Sequence, residues 1–220
     1  MSDSYNLSIT LLNEGVDFAS LEVLNSEGLV GISEVLSPEL VVRAYQGGSF
    51  PWYKFLKVYW WHSPDPRMVL FPDQLKISKS MRQVIRRKEF SLSANTAFKD
   101  VVEGCAKVSR RGQEGTWITR EFIDTYTRLH TMGYAKSIEV WKDAELVGGL
   151  YGVVIGDVFF GESMFSIVPN ASKRAFIALA QAEVLAPYRL IDCQVYTEHL
   201  ESLGAHLIPR SEFLEHIKAE

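Results

Sequence analysis

The stretch from residue 136 to residue 166 constrains the fold of this chain more than any other. It reads KSIEVWKDAELVGGLYGVVIGDVFFGESMFS and alternates around two turn signals, Lys142-Asp143-Ala144 and Gly156-Asp157. Alternation with a period of two is typical of strands, and short turns join strands that run antiparallel. The sequence therefore predicts a three-stranded antiparallel meander.

Segments on both sides of the meander follow helical periodicity. Amphipathic helices are predicted before it at 95–109 and 119–133, and another after it at 172–186. A buried strand at 189–196 and a short helix at 197–205 come next. This order predicts an α+β fold with a mixed, mainly antiparallel sheet.

A proline-containing segment, WWHSPDPR at 60–67, marks the predicted domain boundary. Before it lies a helix capped by Ser37, with Pro38 in its first turn and Gly47 at its end. After it, RMVLF predicts a short strand. The predicted domains are a small N-terminal α/β domain, residues 1–66, and a larger C-terminal domain, residues 67–220.

Charge and cysteine content limit the classes of function. The 23 basic and 27 acidic residues give a net charge of -4, so any attraction to nucleic acid must come from a local patch. The chain start does not have the pattern of a signal peptide, and no apolar run approaches the length of a membrane span. Cys105 and Cys193 are not in metal-ligand spacing. We expect a soluble cytoplasmic protein without a structural metal.

The strongest local patch is a basic helix predicted over 77–90 and opened by Ser78 or Ser80. Its basic side chains recur at intervals of three and four residues: Lys79, Arg82, Arg86, and Arg87 or Lys88. The pattern fits an ordinary solvated face or a surface for a phosphate backbone. Arg110 and Arg111 in the next loop strengthen the second interpretation.

Two tryptophans are poorly explained by helix or strand periodicity. Trp52 lies in SFPWY and Trp117 in GTWIT, and both segments resemble loops. Each ring could fill an edge of the core. In a nucleic-acid-binding protein, an exposed ring could instead stack on an unpaired base.

Polar residues interrupt two apolar segments near the end of the chain. Glu162 stands within the apolar run that ends the meander, where a carboxylate needs a cation, hydrogen-bond donors or a shifted pKa. Asp192 and Gln194 are two residues apart on the next strand and therefore share a face, with Cys193 on the opposite face. These side chains either hydrogen-bond inside the core or line a cleft.

Common catalytic motifs are missing from the sequence. No serine lies in GxSxG, neither cysteine has a histidine close in sequence, and no phosphate-binding glycine loop is present. The five histidines show no metal-ligand spacing, and we interpret them as surface or capping residues. The sequence therefore does not support nucleophilic catalysis, use of ATP or a metal centre.

Several segments together resemble the leucyl/phenylalanyl-tRNA–protein transferase family. They are AYQGGSFPW, SPDPRMVLFPDQLKISKSMR, NTAFKDVVEGCA, EGTWIT, SIEVWKDAELVGGLYGV, FFGESMFSIVPNASK, LIDCQV and SLGAHLIPR. They follow the family's order through most of the chain. The resemblance implies a small N-terminal domain and a larger domain of the acetyltransferase (GNAT) type, in agreement with the order of elements predicted above.

The resemblance also implies an activity. Members of the family transfer Leu or Phe, and less readily Met, from aminoacyl-tRNA to the N-terminal Arg or Lys of a protein, which creates an N-degron. The expected partners are therefore Leu-tRNA, Phe-tRNA and proteins with N-terminal Arg or Lys. No cofactor or metal is expected, because the ester already stores the energy for transfer. No membrane is expected either, and we expect a monomer.

Matching motifs suggest roles for individual residues. The resemblance assigns Trp52 and Trp117 to the terminal adenosine, Leu150 and Phe159 to the aminoacyl side chain, and the basic helix to acceptor-stem phosphates. It assigns Asp192 and Gln194 to the reacting centre, where Gln194 would orient the attacking amine. Glu162 would meet the cationic acceptor, which would explain its place in an apolar segment.

Three alternatives stay open at this stage. A sister specificity transfers Leu to N-terminal Asp or Glu, although an acidic cleft at Glu162 disfavours it. A CoA-dependent acetyltransferase would need a glycine-rich pyrophosphate loop where this chain has VPNASKRAF. A non-catalytic RNA-binding protein would use the basic helix and the tryptophans, but it would not need GESMF and DCQ together.

Overall fold

The computed structural model describes residues 9–108 and 116–218. Its helices and strands appear in an order close to the predicted one. The strands are β1 (Leu29–Ser33), β2 (Phe50–Phe55), β3 (Val58–His62), β4 (Arg67–Leu70), β5 (Ser91–Ala94), β6 (Ala135–Lys142), β7 (Glu145–Ile155), β8 (Val158–Ser166), β9 (Leu190–Gln194) and β10 (His206–Ile208). The helices are α1 (Pro38–Gln46), α2 (Lys79–Arg86), α3 (Phe98–Lys107), α4 (Arg120–Thr131), α5 (Ala171–Ala180), α6 (Glu198–Glu201) and α7 (Arg210–Lys218). None of these helices is long and apolar enough to cross a membrane.

The strands form two sheets. A three-stranded sheet has the order β1-β3-β2, and a seven-stranded sheet has the order β10-β4-β9-β8-β7-β6-β5. Strands β8 and β9 pair in parallel, whereas the other paired neighbours in both sheets run antiparallel. The predicted α+β class with a mixed, mainly antiparallel sheet is confirmed. The order of meander, helix and parallel strand is the one implied for an acetyltransferase-type domain.

Local signals placed several elements correctly. The predicted meander is β6, β7 and β8, and its first turn has both Asp143 and Ala144 at positive φ. Ser37 caps α1 by accepting a hydrogen bond from the N–H of Leu40, and Ser78 caps α2 through the N–H of Met81. These caps are confirmed because each depends only on residues within one helical turn.

The β2–β3 hairpin and strand β5 were not predicted, and one helix was predicted with the wrong end. The hairpin of β2 and β3 turns at Leu56 and Lys57, which have φ of 51° and 67° although neither is a residue that favours this region. Strand β5, SLSA, is short and carries no apolar run. The helix predicted over 172–186 is α5, but it ends earlier than predicted, at Ala180, because Ala182 adopts a positive φ and the N–H of Glu183 bonds to the carbonyl of Ala178.

The apolar side chains pack in two clusters that meet at the large sheet. The first joins the small sheet, α1, α3, α4 and one face of β8. The second lies among β6, β9, α2 and α5. Although the small sheet ends at His62 and the large sheet begins at Arg67, the first cluster includes side chains from both. The domain boundary at residue 66 therefore stays a prediction.

Candidate active site

A pocket of about 350 Å³ opens where β8 and β9 separate. The two strands pair from Val158 opposite Leu190 to Phe160 opposite Asp192, and their pairing ends there. Beyond that point, residues of both strands line the pocket, together with the start of β2, Trp117, α5 and α6. Clefts at the point where strands diverge are common ligand sites, because the sheet holds the lining residues rigidly.

Each of three strands carries an extra residue beside this pocket. The extra residue is Trp52 in β2, between the pairs of Pro51 and Tyr53, and Glu162 in β8, between the pairs of Gly161 and Ser163. In β9 it is Cys193, between Asp192 and Gln194. A β-bulge redirects the side chains that follow it, and bulges are frequent next to active sites.

The bulges explain why alternation alone could not place the pocket residues. Phe160 and Phe165 of β8 are five positions apart, yet both pack in the first core cluster. A regular strand would turn them to opposite faces. In β9, Gln194 has a φ of 66° and lines the pocket together with Asp192 and Cys193.

The structure brings together seven of the residues singled out from the sequence. All of them line the same pocket: Trp52, Trp117, Leu150, Phe159, Glu162, Asp192 and Gln194. Leu150 and Phe159 belong to its apolar wall, to which Phe176, Leu179 and Ile191 also contribute. These residues come from segments between 52 and 194, so only the tertiary structure makes them neighbours.

Asp192 is fully buried and ion-paired. Its two carboxylate oxygens accept hydrogen bonds from Nε and Nη2 of Arg67 at 2.8 and 2.7 Å, and both side chains have no exposed surface. The guanidinium lies between two rings, 4.9 Å from the centroid of Phe50 and 4.5 Å from that of Phe213. Oδ1 of Asp192 also accepts from the N–H of Gln194 at 2.9 Å. This carboxylate is therefore held in one orientation and holds the backbone of Gln194.

Glu162 is the second buried acid of the pocket. Oε1 accepts a hydrogen bond from the hydroxyl of Tyr45, which is fully buried in α1. Burial raises the pKa of Glu162 well above its usual value, and the negative charge of Asp192 raises it further. A cation that entered the pocket would favour the ionised form and reverse this shift.

Two other pocket side chains limit the possible chemistry. Nε2 of Gln194 is buried and has no hydrogen-bond partner within residues 9–108 and 116–218. This amide group can therefore bond to a molecule in the pocket without losing an internal hydrogen bond. Burial raises the pKa of the Cys193 thiol, as does the Asp192 carboxylate, so the thiol is a poor nucleophile at neutral pH.

The tryptophans each pack edge-on against another ring. Trp52 contacts His62 with 4.8 Å between ring centroids, and Trp117 contacts Phe122 at 5.3 Å. Trp52 lies in β2 and not in a loop. The interpretation of His62 as a surface or capping residue was wrong: it is buried beneath Trp52, and burial lowers its pKa.

The basic helix α2 is exposed along its charged face. Lys79, Arg82, Arg86 and Arg87 are all exposed, whereas Met81 is buried and anchors the helix in the second core cluster. That cluster includes Phe176 and Leu179 of α5, which line the pocket. Arg110 and Arg111 lie outside the described residues.

Several contributing residues were missed at the sequence level. Tyr45 and Arg67 contact the two pocket acids, but Tyr45 lies in an ordinary helical pattern and Arg67 begins a short strand. A further buried acid, Glu139, was also missed. It accepts hydrogen bonds from Ser137 and Ser93 at 2.5 and 2.6 Å and from Thr96 at 3.1 Å, so its hydrogen bonding is internal. Within the described ranges, no three His, Cys, Asp or Glu are grouped to hold a metal ion.

The sheet order and the pocket define a class of protein, an α+β protein with a ligand-sized cleft between two diverging strands. A model of the family described as leucyl/phenylalanyl-tRNA protein transferase matches residues 69–218. The chain belongs to this family of aminoacyltransferases.

Relatives in this family match the chain almost from end to end. A leucyl/phenylalanyl-tRNA–protein transferase of Flavobacterium johnsoniae is 50% identical over 203 residues, which cover 92% of this chain and 96% of the relative. Those of Christiangramia forsetii and Syntrophus aciditrophicus are 48% and 46% identical and cover 93% and 94% of this chain, and 97% and 87% of their own. A solved GCN5-related N-acetyltransferase from Kribbella flavida is 10% identical, with a TM-score of 0.35 over 82% of this chain and 64% of its own. A likeness this weak supports no conclusion.

Proposed function

We propose that this protein transfers Leu or Phe, and less readily Met, from aminoacyl-tRNA to the N-terminal Arg or Lys of acceptor proteins. The product would carry an N-degron. The observation that carries the proposal is one pocket in which an apolar wall meets Glu162, the Arg67–Asp192 pair and Nε2 of Gln194, which has no hydrogen-bond partner among the described residues. One site thus offers room for an apolar side chain and for a cation next to each other.

The donor would occupy the apolar side of the pocket. Leu150 and Phe159 are buried and rigidly packed, which suits a branched or aromatic side chain of defined shape. Trp52 and Trp117 would hold the terminal adenosine by ring stacking. The exposed cations Lys79, Arg82, Arg86 and Arg87 would hold phosphates of the acceptor stem.

The acceptor would approach Glu162. An N-terminal Arg or Lys brings two positive charges, on its side chain and on its α-amine. Either charge would favour the ionised form of Glu162, which loses a proton as the acceptor binds. The hydroxyl of Tyr45 would keep the carboxylate oriented. An N-terminal Asp or Glu would face a like charge, so the sister specificity is disfavoured.

The transfer step needs little chemistry from the protein. The neutral α-amine, with a reference pKa of about 8, attacks the ester carbonyl carbon. A C–N bond forms, the ester C–O bond breaks, and the departing ribose oxygen takes the proton that the amine loses. The side chain of Gln194 would orient the amine, and Asp192, fixed by Arg67, would fix the backbone of Gln194. Positioning of this kind supplies much of the rate in reactions between two bound groups.

Three further features belong to the proposal. Residues 1–66 and 67–220 would form a smaller and a larger domain around the shared core. The protein would act as a monomer. It would act in the cytoplasm, since its proposed donor is a substrate of translation.

A transfer assay with matched peptides tests the proposal. Radiolabelled Leu on tRNA is offered with peptides that differ only in an N-terminal Arg, Lys, Asp or Ala, without ATP or CoA. We expect label on the Arg and Lys peptides. Gln194→Ala should lower kcat by roughly 100-fold while the variant unfolds at the wild-type temperature. Label on the Asp peptide would instead indicate the sister specificity, which transfers Leu to N-terminal Asp or Glu. The absence of label on every peptide would reject the proposed function.

A further inference from the structure

A row of aromatic rings leads from the pocket to the tip of the β2–β3 hairpin. We call it the aromatic strip; its members are Trp52, His62, Tyr53, Trp60 and Phe55. Successive ring centroids are 4.8 Å apart for Trp52 and His62, 5.7 Å for His62 and Tyr53, 5.9 Å for Tyr53 and Trp60, and 6.5 Å for Trp60 and Phe55. The strip is continuous with the pocket because Trp52 belongs to both.

The strip covers the face of the small sheet that is turned away from the core. Tyr53 pairs with Trp60 and Phe55 with Val58, so their side chains share one face of the hairpin. On the other face, Tyr59 is buried in the first core cluster. Tyr53 and Trp60 are half-buried, and Phe55 is 56% exposed at the tip. At the pocket end of the strip, Trp52 packs partly against the first core cluster and His62 is buried, so the accessible rings are mainly those of Tyr53, Trp60 and Phe55. Accessible rings that contact each other form a surface for a ligand.

A lysine stands at the far end of the strip. Lys57 is exposed at the turn, whereas Lys54 of β2 lies on the opposite face, 5.0 Å from the centroid of the Tyr59 ring and paired with Glu121 at 2.9 Å. Burial, and then the carboxylate of Glu27, raise the pKa of Tyr53, so its phenol is neutral at pH 7. Burial likewise keeps the ring of His62 neutral. The strip thus presents neutral ring faces with one exposed lysine, Lys57, at its far end.

We propose that the aromatic strip binds the unpaired 3′ nucleotides of the aminoacyl-tRNA that precede the terminal adenosine. This inference rests on the proposed function, in which Trp52 holds that adenosine. The strand that leaves Trp52 must pass over an adjacent surface, and the strip begins there. Bases of any sequence gain binding energy when they stack on aromatic ring faces, and the phosphates between them are attracted by the positive charge of Lys57.

Removal of one ring tests the inference. Trp60→Leu keeps an apolar side chain but loses the ring, and Phe55→Ala acts at the exposed tip, where folding is least affected. Trp60→Phe keeps a ring. Leu56→Asn is the matched control, because Leu56 is apolar, 76% exposed and at the same tip, and Asn accepts its positive φ. Transfer is measured with full aminoacyl-tRNA and with aminoacyl-adenosine, which lacks the preceding nucleotides.

We expect Trp60→Leu to raise the KM for aminoacyl-tRNA by about 5- to 160-fold, as the loss of one stacked base predicts. The KM for aminoacyl-adenosine should stay at the wild-type value, and Trp60→Phe and Leu56→Asn should resemble wild type with both donors. Unchanged KM values in Trp60→Leu and Phe55→Ala would overturn the strip but leave the proposed function intact. A rise in the KM for the peptide alone would make the strip a protein-binding surface and also overturn the inference. Failure of the wild-type protein with both donors would instead reject the proposed function.

Discussion

Replacement of Asp192 by Asn removes the negative charge that compensates Arg67 inside the core. Both side chains are fully buried, and the guanidinium is enclosed by the rings of Phe50 and Phe213, so water cannot replace the lost partner. Breaking a buried pair while one charge stays behind costs about 3 to 5 kcal/mol. For a chain of this size, that corresponds to a loss in Tm of roughly 6 to 20 °C.

Urea unfolding followed by fluorescence measures this loss, and the chain offers a matched control. Arg189 binds Asp157 with the same two-bond geometry, at 2.8 and 3.0 Å, but the side chains are 36% and 45% exposed. Asp157→Asn should therefore cost no more than about 1 kcal/mol. The contrast between two pairs of like geometry separates the effect of burial from that of the hydrogen bonds.

A double variant separates stability from catalysis. Arg67→Met with Asp192→Leu removes both charges and refills the space with apolar atoms, so most of the lost stability should return. Transfer activity should not return, because the proposed orientation of Gln194 depends on the Asp192 carboxylate. An Asp192→Asn protein within about 1 kcal/mol of wild type would refute the argument from the uncompensated charge. Full activity in the double variant would refute the proposed role of Asp192.

Three further predictions follow from the site. The pKa of Glu162 is raised above 4.5, so the ligand-free protein should lose stability as pH rises through that pKa, whereas the KM for an Arg-starting peptide should fall. Glu162→Gln should abolish both trends. Urea unfolding and peptide kinetics at several pH values would show this. Leu150→Phe should fill space beside the apolar wall and reduce transfer of Phe more than transfer of Leu, so that the ratio of kcat/KM for Phe to kcat/KM for Leu falls by about 10-fold. An unchanged ratio would show that Leu150 does not line the pocket for the aminoacyl side chain. The double variant Arg82→Ala with Arg86→Ala should reduce the slope of log KM for aminoacyl-tRNA against log salt concentration by roughly 1 to 2. The control double variant Lys99→Ala with Lys107→Ala on α3 removes the same charge and should leave the slope unchanged. Equal slopes in the two double variants would show that α2 is an ordinary solvated face.

Much of the fold could be predicted because its signals are local. The meander follows from alternation and two short turns, and α1 and α2 follow from a capping position and an apolar stripe. Helix α4 follows from its apolar stripe, because Thr119 at its N-cap position makes no capping hydrogen bond. Elements with a weak local signal in the sequence were not predicted. The β2–β3 hairpin turns through Leu56 and Lys57, and β5 has only four residues, so neither could be recognised.

The candidate site could be predicted as a set of residues but not as a geometry. Family motifs and unusual polar positions indicated Trp52, Glu162, Asp192 and Gln194 one by one. Their partners carry no such signal: Tyr45 is separated from Glu162 by 117 positions, and Arg67 from Asp192 by 125. A tyrosine in a helix and an arginine at the start of a strand have many ordinary explanations. Only packing shows which acid each of them meets.

By itself, the sequence determined the helices α1 to α6, the meander and the chemical groups available for function, because caps, turns and periodicity act between residues a few positions apart. The tertiary structure decided how those groups are used. The bulges at Trp52, Glu162 and Cys193, the separation of β8 from β9, and the burial of Arg67 with Asp192 all arise from contacts between distant segments. The alternation pattern of one strand cannot reveal a bulge, because a residue is extra only relative to the register of the neighbouring strand. It also cannot reveal the pKa of a carboxylate, because that pKa depends on which residues bury the group.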